Sequence, residues 1–161
     1  MPEPLEVARE LNEHWASVPF ETLREALTES GDFEDSMRRF EEAGHPFPVE
    51  LISPEIEVDM SAFPGGATLP SGRGRDVFTA FFREWVEPWA GLTTEALDYE
   101  QLGERVLVEM RVRARGGVSG VATELGLTQL WTIRDGMVVR YEVFPDREQA
   151  RAAIPSAEGA G

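Results

Sequence analysis

A chain of 161 residues has the length of one domain with a sizeable hydrophobic core. Thirty acidic side chains against fifteen basic ones leave a formal charge of −15 and a pI near 4.5, the wrong sign for neutralising phosphates, so nucleic acid and anionic membrane surfaces are set aside as partners. All the basic residues are arginine and cysteine is absent, which removes Schiff-base lysines, thiolate nucleophiles, disulfides and zinc–thiolate centres.

The acidity is concentrated early: residues 1–60 carry sixteen acids and four arginines. Within that span Leu5, Ala8, Leu11 and Trp15 recur at three- and four-residue steps, as do Phe20, Leu23 and Leu27, then Phe33, Met37 and Phe40. Each set predicts an amphipathic helix with glutamates outside. Pro19, Gly31 and the run Gly44-His45-Pro46-Phe47-Pro48 separate them. His14, four residues after Glu10 on an acidic helix, reads as a surface residue. No basic n-region with an apolar h-region opens the chain, and no segment approaches the roughly 20 apolar residues of a membrane span. The expectation is a cytoplasmic protein.

Ile56, Val58 and Met60 alternate with Glu57, Asp59 and Ser61, the period of a half-buried strand. A loop is expected through Ser71-Gly72-Arg73-Gly74. Val77, Phe78, Phe81, Phe82, Trp85 and Trp89 then fall on one helical face, predicting the core-facing helix, broken near Pro88 and Gly91. After it the period changes to two. Thr94–Leu102, Arg105–Arg115, Val121–Arg134 and Val138–Phe144 read as an antiparallel meander whose strongest hairpin signal is Asp135-Gly136. Val106, Val108, Met110, Val112 and Ala114 share one face against a charged one, and Gln129 is a polar residue among Leu125, Leu127, Trp131 and Ile133. Arg147–Ile154 predicts a closing helix, and residues 155–161 a flexible tail. The fold class is α+β: a cone-shaped, curved, mostly antiparallel sheet with helices packed on its concave face, enclosing a pocket.

Three phrases carry a family resemblance: LISPEIEVD entering the first strand, GRGRDVFTAFFREW at the core helix, and LWTIRDGMVVRYEVFPD across the last hairpin. With this order of elements the chain resembles the nuclear transport factor 2-like superfamily, and within it the SnoaL-like and ketosteroid-isomerase-like proteins, over Phe33–Ile154. The resemblance implies a SnoaL-like domain over residues 33–154, preceded by a helical extension over 1–32. It also implies a homodimer through the outer sheet face and a cofactor-free pocket; two histidines thirty-one positions apart give no local metal-ligand spacing, so no metal is expected. The isomerase-like base position falls on Met60, with Asp59 one residue earlier and so on the opposite face. The oxyanion-holding tyrosine of the first helix is missing, since the only tyrosines are Tyr99 and Tyr141. The second oxyanion donor aligns with Gln129, which keeps an amide N–H. The acid of the polyketide cyclases on the last strand aligns with Val143, and the epoxide-hydrolase arginine and aspartate align with Met110 and Val112.

The residues carrying chemistry are then Gln129 as an orienting amide, Tyr141 as a hydrogen-bond donor, His45 in a loop near the pocket mouth, and Asp59 at the strand end. An apolar lining is expected from Val58 and Met60, from Phe81 and Trp85, from Met110 and Val112, and from Leu127, Trp131 and Val143. The implied function is binding of a small hydrophobic or polycyclic molecule, with isomerase- or cyclase-type proton transfer as the chemistry. The alternative is a non-catalytic dimeric interaction module whose cone is filled by its own side chains.

Overall fold

The structure, a computed structural model, describes residues 2–29, 31–63, 69–116 and 120–154. The expected tail over 155–161 lies outside the described residues, as does Gly117 in the connection between the second and third meander strands. Three helices come first: α1 (Pro4–Ser17), α2 (Phe20–Thr28) and α3 (Phe33–Glu42). Pro4 starts α1 where its missing N–H costs nothing, and Asp32 caps α3 by accepting from the Asp35 amide at 2.8 Å. One turn of 3-10 helix, Val49–Leu51, leads into β1 (Ile52–Asp59).

Gly72-Arg73, expected in a loop, forms a short strand β2 paired with Glu57 and Val58 of β1. Gly72 and Gly74 have φ of 147° and 112°, open to glycine and costly to other residues, and this turns the chain sharply into α4 (Arg75–Val86). Arg75 ties the start of α4 to the sheet, donating from Nε to the Ile52 carbonyl at 3.1 Å. Arg83 ties its end to α2, donating from Nε to the Leu27 carbonyl at 2.8 Å.

One expectation fails at the end of this helix. Trp89 is not on its face but begins β3 (Trp89–Leu102), because Pro88 cannot continue the helix and the chain goes directly into pairing with β4 (Arg105–Gly116). The strand thus begins five residues before the expected Thr94. β5 (Ala122–Arg134) and β6 (Met137–Phe144) complete the meander around the Asp135-Gly136 turn, where both residues have positive φ. The sheet order is β2-β1-β6-β5-β4-β3, all antiparallel except the β1–β6 pair, in which Val58 lies beside Tyr141. The fold is therefore an α+β cone, as the sequence predicts.

The concave face holds the main core. Val106, Val108, Trp131 and Val138 from the sheet pack with Phe40, Phe78 and Leu11 from the helices. Helix α1 gives Val7, Ala8 and Leu11 to this core, and α2 gives Leu23, Ala26 and Leu27. His14 is a correction to the surface reading. It is half-buried, with ring centroids 5.0 Å from Phe47 and 5.5 Å from Phe40 and Trp15.

The convex face is mostly charged. Arg111 meets Glu124 at 3.0 Å and Glu95 at 3.5 Å, and Arg140 meets Glu57, Asp59 and Glu142 within 3.0 Å. Helix α5 (Arg147–Ala152), capped by Asp146, covers the remaining apolar part of that face: Leu107, Leu130 and Phe144 close over Ala150. No helix of the described residues is long and apolar enough to cross a membrane.

Candidate functional site

A cavity of about 330 Å³ lies between the helices and the concave sheet face, within the range of small-molecule sites. An interaction module with a filled cone would leave no such space. The exposed residues of its lining are Ala16, Ser17 and Pro19 around the α1–α2 turn and Thr93 of β3. The middle is apolar: Met60, Phe81, Trp85, Met110, Leu127 and Val143 line it. Phe82 sits between Trp15, stacked at 4.7 Å, and Tyr141, at 5.8 Å, so three flat rings form one wall.

The inner end is polar and fully ordered by hydrogen bonds. The Trp131 indole donates from Nε1 to Gln129 Oε1 at 3.0 Å, and Asn12 donates from Nδ2 to the same oxygen at 2.9 Å. Gln129 in turn donates from Nε2 to the Tyr141 hydroxyl oxygen at 3.1 Å. All these groups are buried: Asn12 is 5% exposed, Gln129 6% and Tyr141 2%. Trp131 stands behind them, with its ring centroid 4.4 Å from that of Tyr141.

An indole N–H can only donate, so the atom it meets must be the amide oxygen, and the Gln129 side chain has one orientation. Its amide nitrogen then faces Tyr141, whose oxygen accepts. The phenolic proton of Tyr141 is left to donate elsewhere, and the cavity lies beside it. Burial raises the Tyr141 pKa well above the ordinary phenol value, with the Gln129 hydrogen bond opposing it more weakly. The group therefore stays a neutral donor at any physiological pH.

The structure thus brings Gln129, Tyr141, Met60, Phe81, Trp85, Met110, Val112, Leu127 and Val143 to one cavity, and four expected residues stay away from it. Val58 is buried in the main core on the concave face, beside Tyr141 in the β1–β6 register, and does not reach the cavity. Trp131 is fully buried beside Gln129 on the same face of β5 and donates to it without lining the cavity. Asp59 points to the convex face, as the one-residue step from Met60 requires, and meets Arg140 at 2.9 Å. Its carboxyl pKa is held below the usual range by the Ser61 hydroxyl, then by the Ser61 amide, with Arg140 adding to them. His45 lies in the loop after α3, where its carbonyl accepts from His14 Nε2 at 3.0 Å and its ring does not line the cavity.

Asn12 and Trp15 were not expected here. The signal for Asn12 was present: it lies four residues after Ala8 and so on the apolar side of α1, where an amide needs a buried partner. Among the described lining residues there is no carboxylate and no imidazole. Among the described residues no three His, Asp or Glu side chains converge in a way that could hold a metal ion.

The profile of the SnoaL-like domain matches residues 8–141. Solved structures share the fold at low identity. An NTF2-like protein of unknown function from Burkholderia pseudomallei K96243 superposes with a TM-score of 0.61 at 16% identity, over 96% of this chain and 98% of that one. TerC, co-crystallised with polyporic acid, gives 0.57 at 18% identity, over 93% and 97%. A putative SnoaL-like polyketide cyclase from Jannaschia sp. CCS1 gives 0.54 at 19%, over 96% and 99%. No curated protein matches the chain in sequence.

Proposed function

Because the chain belongs to the SnoaL-like domain family, we propose that its cone binds a small, uncharged, flat and mostly apolar molecule that presents one hydrogen-bond acceptor to the Tyr141 hydroxyl. The observation that carries this reading is the order of the inner hydrogen bonds. With Trp131 and Asn12 donating to Gln129 and one Gln129 N–H donating to Tyr141, the phenolic proton is free to donate into the cavity beside the second Gln129 N–H, and a carbonyl oxygen is its natural partner. The aromatic wall of Trp15, Phe82 and Tyr141 suits a ring system, and a polyketide-like occupant agrees with the description of the Jannaschia neighbour. A neutral phenol polarises a carbonyl but takes no proton from carbon. Without a base in the described lining, binding is favoured over turnover.

Native mass spectrometry of the purified protein beside a denatured control tests this. The expected result is a small-molecule adduct, co-purified or taken up from added steroid- and polyketide-like compounds, whose affinity falls about tenfold or less in Tyr141→Phe, the loss of one neutral hydrogen bond. A protein that takes up none of these compounds overturns the reading. The same spectrum gives the subunit number, for which the resemblance implies two.

A further inference from the structure

A second hollow of about 330 Å³ adjoins the cavity along the seam between α1 and β3, with Arg9, Glu13, Glu95 and Tyr99 on its walls. The two spaces share four residues: Ala16 and Thr94 at the rim, and Asn12 and Met110 on the floor. Ala16 and Thr94 are small and put little bulk between the two spaces, and Met110 is a flexible thioether that adapts to what lies over it. Asn12, which donates to Gln129 at the inner end of the cavity, also lines the seam hollow.

The chemistry changes from one space to the other. The described cavity lining has no charged side chain, whereas in the seam the Arg9 guanidinium lies 5.1 Å above the Tyr99 ring, with the Glu13 carboxylate one helical turn away. Glu95 also lines the hollow but is held by Arg111 at 3.5 Å, so a single charge placed between Arg9 and Glu13 would meet a like charge as well as an opposite one, and that pair favours neither sign. A group that both donates and accepts is satisfied on both sides: hydroxyls accept from the guanidinium and donate to the carboxylate.

We infer that the binding site is bipartite, with the ligand's rings inside the cone and an uncharged, polyhydroxylated substituent lying outside along the α1–β3 seam against Arg9, Glu13 and Tyr99. The inference rests on the cone being a ligand site, and the test separates the two. Isothermal titration calorimetry compares methoxynaphthalene, which has only the rings, with naphthyl glucoside, which adds the hydroxylated group. The expected result is about tenfold tighter binding of the glucoside to the native chain, an advantage that vanishes in the Arg9→Ala/Glu13→Ala double variant while methoxynaphthalene binding stays within about twofold. Binding of methoxynaphthalene with no advantage for the glucoside overturns the seam and leaves the cone standing; so does an advantage that survives the double variant. Failure of both probes to bind overturns the cone and the seam together. The comparison on the native chain decides the matter even if the double variant loses stability, which a thermal melt reports.

Discussion

The Trp131 indole N–H reaches the Gln129 side-chain oxygen at 3.0 Å across two residues of the same strand. Residues i and i+2 share a face of the sheet, so this contact is built into β5 before any helix packs on it. It makes Gln129 the hub on which Asn12, Trp131 and Tyr141 converge.

Replacing Gln129 by leucine therefore does more than remove an anchor. It leaves the Asn12 and Trp131 donors buried without their acceptor, at about 1–3 kcal/mol for each unsatisfied group. We expect urea unfolding of Gln129→Leu to show a loss of about 2–4 kcal/mol with an unchanged m-value. A variant as stable as the parent would show that the hub does not hold the inner end together.

His14 makes stability depend on pH in a defined direction. Its pKa lies below the ordinary 6.5, chiefly because burial disfavours the imidazolium, although the hydrogen bond to the His45 carbonyl opposes this. Just below pH 6.5 the unfolded chain therefore binds more protons at this residue than the folded one, and stability falls as the pH falls through that window. His14 Nδ1 is buried without a partner, so a proton gained there finds no acceptor. His14→Phe is expected to flatten the melting-temperature profile below pH 6.5. An identical slope in parent and variant would remove His14 from the account.

Asp59 acts at lower pH. Its folded pKa is depressed, first by the Ser61 hydroxyl, so its contribution is present above the unfolded carboxylate value of 3.8 and is lost as the pH falls through the lower folded value. Asp59→Asn should be less stable than the parent at neutral pH and should converge with it in acid. A gap between the two melting temperatures that does not narrow as the pH falls below 3.8 would contradict this assignment.

The fold was legible because its signals are long and periodic. The alternation in β1, β4 and β5 sorts inside from outside residue by residue, and it places Asp59, Met110, Leu127 and Gln129 on their observed faces. The helical stripes located α1 to α4 for the same reason. What escaped was set by contacts between distant segments. Asn12 becomes part of the site only because α1 lies across β5, a relation 117 residues apart in the chain. His14 is half-buried because Phe40 and Phe47 fold over it, which an acidic helix sequence does not announce. Trp89 shows a local limit of another kind. Its spacing from Trp85 is helical, but Pro88 between them decides the backbone.

The parallel β1–β6 pair sets when the cavity comes into existence. Val58 and Tyr141 are neighbours in the sheet but 83 residues apart along the chain, and the strand holding Tyr141 is the last one made. Pairings of such separation carry a large loop-closure cost and form late in folding. During synthesis helices α1 to α4 and the β3–β4 hairpin emerge long before Tyr141, and the cone stays open until β6 docks. A chain stopped anywhere before Phe144 should hold no ligand, whatever local structure it has. The hollow is thus a product of complete folding, and a compound that occupies it favours the finished molecule over every shorter intermediate.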